Sequence, residues 1–276
     1  MHHAPFVSII IPTCNRVVEL AECLQAVYSS IGFASVDVEV IVSDDSKHKG
    51  INDSDLGRPY IRYSKGPQKG PAANRNHGAL LALGEWLLFC DDDCIPSIEW
   101  LAAYAQKIKG SINVLEGCTK PLGIRRRLDE ECPANETGGY LWSCNFAIRK
   151  ATYERLKGFD ENFPAAAMED VDLRLRLLEC GQQIEFISSA ILFHAWRPKK
   201  GIRFIDSHVA STVYLVKKHP AQASLISQKV IVKNFVRYIL KIWLAGLVVY
   251  KGAGCFRDLR LQVYNLSTRI NASNSR

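Results

Sequence analysis

Three carboxylates in succession, Asp91-Asp92-Asp93, follow an apolar run and precede Cys94-Ile95-Pro96. Neighbouring carboxylates repel one another unless a cation sits among them. Hard oxygen ligands suit Mg2+ or Mn2+, which keep coordination positions open for substrate phosphates. The bland alternative is a solvated acidic turn, and the place of the triplet directly after a buried strand weighs against it. A second acidic pair, Glu169-Asp170, stands at the start of a predicted helix. Acids there complement the helix dipole, and a positioned carboxylate can also deprotonate an attacking hydroxyl as a general base. His194, at the end of a predicted strand, offers a nitrogen to a metal, a contact to a diphosphate, or a purely structural ring. Arg75 and Lys69, on and before another predicted helix, offer positive charge against phosphate, with solvation the alternative for Lys69.

The elements that must position these residues alternate. Residues 6–11 form a β-branched run that ends at Pro12, as a strand buried on both faces of a parallel sheet should. Apolar residues from Val17 to Val27 then recur at helical spacing. Strands are expected over 36–42, 60–63 and 85–90, and a helix over 71–83. Beyond residue 96 the pattern predicts a helix (98–108), a strand (113–118), a mobile polar loop (123–138), a strand (140–148), a helix (171–180) and a strand (184–193). Such alternation implies an α/β sheet with right-handed crossovers. Ligands of these sheets collect beyond the carboxyl ends of the strands. Three polar loops each follow a strand directly, 12–16, 44–46 and 91–93, and are expected to meet at one cleft.

Composition bounds the rest. The 276 residues are 47% hydrophobic and 23% charged, enough for a large domain plus an appendage. Nine cysteines at irregular spacings read as reduced thiols. Met1 to Pro5 carry no basic region followed by an apolar run, so secretion is not expected and the sequons at Asn52, Asn135, Asn265 and Asn271 should be idle. The net charge of +7 is unevenly held: residues 199–276 carry 14 Lys and Arg against 2 Asp and Glu, and residues 1–198 carry 21 against 26. A solvated basic face or an anionic partner for the tail would explain this. Lys229, Lys233, Arg237 and Lys241 recur every fourth residue beside Val230, Ile231, Phe235, Ile239, Ile242 and Trp243. On a helix this makes a basic stripe beside an apolar one, suited to lying on an anionic membrane through residues 229–251 or to packing on the catalytic body. The apolar stretch is too short to span a bilayer, and no nucleic-acid motif is present.

Five segments in order resemble successive blocks of family 2 glycosyltransferases: Val7–Arg16, Val40–Ser46, Ala73–Gly78, Gly84–Pro96 and Gly158–Leu175. The resemblance runs over residues 7–194, about two thirds of the chain. It implies a GT-A, Rossmann-like α/β fold: a mixed, mostly parallel sheet flanked by helices, followed by a helical basic tail. It also implies a nucleotide-binding half at 1–96, an acceptor-binding half at 97–198, and an extension at 199–276. By similarity, Pro12, Thr13 and Arg16 border the base and ribose, Asp45 accepts a hydrogen bond from the base, and Arg75 lies near the diphosphate. Asp91 or Asp92 would face the ribose or sugar, and Asp93 would hold Mn2+ or Mg2+, joined in some members by His194. Asp170 matches the catalytic base and Glu169 a neighbour that contacts a sugar. Cys14 stands where an aromatic is frequent, and Ser43-Asp44-Asp45-Ser46 lacks a frequent glycine.

The expected activity is therefore inverting transfer of a sugar from a nucleotide-diphosphate sugar, UDP favoured, to a saccharide or lipid-linked acceptor. The expected place is the cytoplasm or the inner face of its membrane. A nucleotidyltransferase would carry a Gly-rich phosphate loop after the first strand, which 12–16 lacks. A non-catalytic nucleotide-sugar binder would not need Glu169-Asp170.

Overall fold

The computed structural model describes residues 6–48, 50–51 and 53–274. The first five residues and the sequon at Asn52 lie outside the described residues. Among the described residues ten strands occur: β1 Val7–Thr13, β2 Val38–Asp44, β3 Ile61–Lys65, β4 Trp86–Cys90, β5 Cys94–Pro96, β6 Val114–Leu122, β7 Glu130–Glu131, β8 Asn145–Arg149, β9 Ile184–Ala195 and β10 Arg197–Pro198. The α-helices are α1 Val17–Phe33, α2 Asp53–Leu56, α3 Pro71–Leu81, α4 Trp100–Lys107, α5 Lys150–Arg155, α6 Glu169–Glu179, α7 Ile202–Lys218, α8 Gln228–Tyr238, α9 Leu244–Val249 and α10 Cys255–Asn274.

The chain forms two compact units. The first comprises Met1–Leu122, Pro133–Glu161 and Glu169–Ala195. It holds an eight-stranded mixed sheet in the order β3-β2-β1-β4-β8-β6-β9-β5. β1 pairs in parallel with both β2 and β4. Every residue of β1, β2 and β4 is buried, which is why their sequences are near-continuous apolar runs. One face packs on α1 and α4 through Leu20, Leu24, Val27, Leu101 and Tyr104. The other packs on α3 and α6, with Phe89, Phe146, Tyr153 and Phe159 as an aromatic cluster. Strand order reverses at β1, so the carboxyl ends of β1 and β4 flank the crevice that such sheets use for ligands.

The second unit comprises Gly123–Cys132, Asn162–Met168 and Trp196–Arg276. It contains α7 to α10 and the β7–β10 ribbon. No helix among the described residues is long and apolar enough to cross a membrane.

Three local expectations are corrected. The strand expected at 140–148 begins only at Asn145. Upstream, the buried Glu116 carboxylate accepts the amides of Gly139 (2.7 Å), Tyr140 (2.8 Å) and Leu141, and Leu141 adopts φ +52°. The loop expected to be mobile at 123–138 is tied down instead. Arg125 donates to the carbonyls of Arg127, Leu128 and Glu130, and Glu131 pairs with Arg197. The helix expected at 229–251 is divided between α8 and α9 by a π-turn over Ile239–Trp243. Tyr238 donates to Asp258 (2.5 Å) and the Trp243 indole to the Cys255 carbonyl (3.0 Å). The wider turn lets residues five apart share a side.

Candidate active site

The crevice is built by side chains from six segments. At the end of β1, Pro12 and Thr13 are buried, and the Thr13 hydroxyl donates to Asp92 Oδ2 at 2.7 Å. Asn15 takes φ +58°, with its amide on the Ser46 hydroxyl (2.6 Å), and turns the chain so that Arg16 faces back over the acidic triplet. Arg16 Nη1 lies 2.8 Å from both Asp92 Oδ1 and Asp93 Oδ2. Burial, opposed by Arg16, pushes the Asp92 carboxyl up to about 6.

The pair Asp44-Asp45 divides its work. Asp44 is fully buried and accepts from the amides of Ser46 and Gly50 (both 2.8 Å) and from the Tyr63 hydroxyl (2.7 Å). Those bonds outweigh burial and hold its pKa low. Asp45 is left partly exposed, accepting the amides of Gln68 (2.9 Å) and Gly70 (3.2 Å), while its own amide donates to the Thr13 carbonyl. Gly66 is required beside it, because a Cβ there would lie 2.3 Å from Asp45 Oδ1 and 2.4 Å from Asn74 Oδ1. Asn74, absent from the expected site, ties the β1 and β2 tips together by donating to the carbonyls of Thr13 (3.2 Å) and Ser43 (2.9 Å).

Arg75, one residue further along α3, is buried. Its Nη2 donates to Asp91 Oδ1 at 2.6 Å, and its Nη1 stands 3.5 Å from Glu169 Oε1 at the start of α6. Asp91 and Glu169 outweigh the burial that opposes its charge, so Arg75 is held protonated. Glu169 is itself buried, with Oε2 lacking a hydrogen-bond partner. Burial first, and then Asp170, pushes its pKa up to about 7. Asp170 is raised by burial too, and its Oδ1 accepts the Val171 amide at 2.8 Å. Asp170 feels the charges of Arg75 and Asp91, but no hydrogen bond joins it to another acid of the crevice among the described residues. Lys69 is exposed in the turn before α3.

At the other side of the triplet, β5 pairs with β9 and sets Cys94 opposite His194. Asp93, Cys94 and His194 bring one ligand atom each within 4.8 Å of the others. His194 Nδ1 lies 2.8 Å from the Ala195 carbonyl, which can only accept, so Nδ1 carries hydrogen. When the ring is protonated, Nε2–H pairs with Asp93 Oδ1, 3.3 Å away; when it is neutral, the bare lone pair of Nε2 faces that oxygen. Two lone pairs so placed repel, and a cation between them removes the conflict. The carboxylate oxygen suits Mn2+ or Mg2+, and the imidazole nitrogen favours a transition ion such as Mn2+ over Mg2+, with a carbonyl fixing the ring from behind. Cys94 is a poor third ligand, because burial holds its thiol well above the usual range and therefore protonated. The residues present fit a divalent ion.

The crevice thus gathers Pro12, Thr13, Arg16, Asp45, Arg75, Asp91, Asp92, Asp93, Glu169 and His194 around the tips of neighbouring strands, with Asp170 at the start of α6. Comparison with known proteins gives the arrangement a family. Residues 8–115 match the family model described as glycosyl transferase family 2. An uncharacterized glycosyltransferase of Haemophilus influenzae is 27% identical over 266 residues, covering 86% of this chain and 88% of that protein. Among solved structures, the mannosyltransferase PcManGT from Pyrobaculum calidifontis, in complex with GDP-Man and Mn2+, aligns with TM-score 0.63 and 16% identity over 98% of this chain and 87% of its own. S. aureus TarS 1-349 in complex with UDP-GlcNAc aligns with TM-score 0.61 and 18% identity over 97% and 89%. The match of residues 8–115 to the family 2 glycosyl transferase model, the glycosyltransferase relatives and the GT-A fold shared with solved glycosyltransferases together support a transferase of the family 2 type.

Proposed function

We propose that the chain is an inverting, divalent-metal-dependent glycosyltransferase that takes a UDP-sugar and glycosylates a hydroxyl of a saccharide or lipid-linked saccharide. The observation that carries this reading is the single network at the β1–β4 switch point, where Thr13 and Arg16 hold Asp92 and Asp93, and Arg75 holds Asp91 and Glu169. In this reading residues 1–96 bind the nucleotide, residues 97–198 bind the acceptor and residues 199–276 form an extension. Pro12, Thr13 and Arg16 border base and ribose, Asp45 receives a hydrogen bond from the base, and Asp91 or Asp92 faces ribose or sugar. Asp93 and His194 hold Mn2+ or Mg2+. When bound, such an ion stabilises the negative charge of a departing nucleoside diphosphate as a Lewis acid. The structure of TarS bound to UDP-GlcNAc supports the choice of UDP, and that of PcManGT with Mn2+ supports the ion.

The chain's own groups divide the remaining work. Asp170 takes the acceptor proton on the carboxylate oxygen that the Val171 amide leaves free, as the hydroxyl oxygen attacks the anomeric carbon from the face opposite the leaving group. One displacement inverts the anomeric centre. Glu169, held by Arg75, contacts a sugar hydroxyl. The basic, apolar-flanked segment 229–251 contacts the inner face of the cytoplasmic membrane. Val232, Val236, Leu240, Leu244 and Val248 are exposed along it.

Transfer from a panel of nucleotide sugars, with and without Mn2+, tests the reading, with the product anomer assigned by NMR. Asp170→Asn should lower turnover by about 10²–10⁴-fold while a donor still raises the melting temperature. Near-normal transfer by this variant, or retention of the anomeric configuration, would overturn the assignment.

A further inference from the structure

Four basic residues of the second unit line one open cavity of about 710 Å³ between residues 200–204 and α10. Lys200, Arg203, Arg257 and Arg260 supply its cations, and Ile202, Phe204 and Leu261 its apolar wall. No carboxylate among the described residues lines it. The acids of this unit that lie nearest in sequence are already paired, one of them with a cation of the cavity itself. Asp129 accepts from Arg127 and Arg257, Asp258 from Lys199 and Tyr238, and Asp206 from the Tyr264 hydroxyl. Arg203 and Arg260 are exposed, and their guanidinium groups make no hydrogen bond or ion pair among the described residues. Gly201 precedes α7 and offers no side-chain cap; the Phe204 amide donates to the Gly201 carbonyl (3.0 Å), which leaves the amides of Ile202 and Arg203 at the helix start without a side-chain cap. The guanidinium groups of Arg203 and Arg260 repel each other across this space, and an anion entering it turns that repulsion into attraction.

The surroundings narrow the anion. On α10, Phe256 (73% exposed) and Val263 (48% exposed) stand four residues before and three after Arg260 and therefore share its face. Exposed apolar side chains beside unpaired arginines fit the headgroup–acyl boundary of a lipid layer better than bulk water. We propose that this cavity binds the phosphate group of an anionic lipid, with Arg203 and Arg260 as its principal phosphate contacts and with Phe256 and Val263 entering the apolar boundary. The site is distinct from the strand-tip crevice and does not depend on the transferase reading.

The test compares the full chain with its Arg203→Gln/Arg260→Gln double variant in EDTA, which removes any divalent ion from the strand-tip site. Phosphatidylcholine vesicles with and without phosphatidic acid, and inorganic pyrophosphate, are the probes. The full chain should sediment with the phosphatidic acid vesicles and not with phosphatidylcholine alone. The double variant should bind about 25-fold more weakly, ~5-fold for each arginine. Unchanged far-ultraviolet dichroism and melting temperature would show that the variant is folded. Equal binding of both proteins to phosphatidic acid, or binding to phosphatidylcholine alone, would overturn the proposal. Pyrophosphate that raises the melting temperature of the full chain but not of the variant, together with equal vesicle binding, would refute the lipid source and leave a site for soluble phosphate.

Discussion

Replacing Arg75 with Met removes the cation that two acids share and leaves a side chain of similar length. Arg75 is 5% exposed, Glu169 7% and Asp91 24%. Removing one partner of a buried ion pair typically costs about 3–5 kcal/mol, because the other charge stays buried. Here water reaches Asp91, and Glu169 can keep its proton, so at pH 6 the loss should be nearer 2 kcal/mol. The loss should then grow with pH. Glu169 titrates near 7 with Arg75 present, and Arg75 is among the groups that lower it. Without Arg75 its pKa rises further, so the folded variant holds a proton that the unfolded chain has already released. Stability falls with pH wherever the folded state binds more protons, by up to about 1.4 kcal/mol per unit. The gap between wild type and Arg75→Met should widen at about that rate from pH 7 to pH 8. Urea unfolding followed by tryptophan fluorescence at pH 6, 7 and 8 measures it. A gap that is constant across this range, or below about 1 kcal/mol throughout, would refute the shared-cation reasoning.

Two further outcomes follow from the same interactions. In the wild type, Glu169 binds a proton more tightly when folded, at about 7 against an ordinary 4.5, so its contribution lowers stability as pH rises through that window. Glu169→Gln should remove this part of the slope in pH-dependent thermal melts, and an unchanged slope would contradict the assignment. Glu116→Ala strands the Asn135 amide and three backbone N–H groups. It should cost at least about 3 kcal/mol in chemical unfolding, and a loss under 1 kcal/mol would show that the 138–141 turn holds itself.

The sequence made legible whatever depends on local pattern. The runs that became β1, β2 and β4 read as buried strands because both faces of each are covered, and the acids at their ends stood out by type and position. What it hid depends on partners distant in the chain. Asn74 joins two strand tips 31 and 61 residues away. In the sequence it is one polar residue on a helix, and only its place within the Ala-Asn-Arg-Asn-His-Gly block hinted at a role. Glu116 shortened an expected strand because its carboxylate captures amides more than twenty residues later. A lone acid in an apolar run was the available signal. Asn145 was equally silent, although it accepts from Trp100 and Tyr104 and donates to the carbonyls of Cys118 and Ala190. Periodicity took residues 229–251 for one helix, because the rings of Tyr238 and Trp243 reach partners on α10 and the loop before it that no local window contains.

Metal-assisted transfer in this crevice requires one divalent ion and one diphosphate to meet at the β1–β4 tips. Anomalous diffraction at the manganese edge, from crystals of the chain grown with UDP and Mn2+, tests this directly. A manganese peak is expected bonded to Asp93 and to His194 Nε2, with diphosphate oxygens completing its shell and Arg16 released from Asp93. Nucleotide in the crevice without an ion between Asp93 and His194, or manganese and diphosphate on another surface, would contradict it.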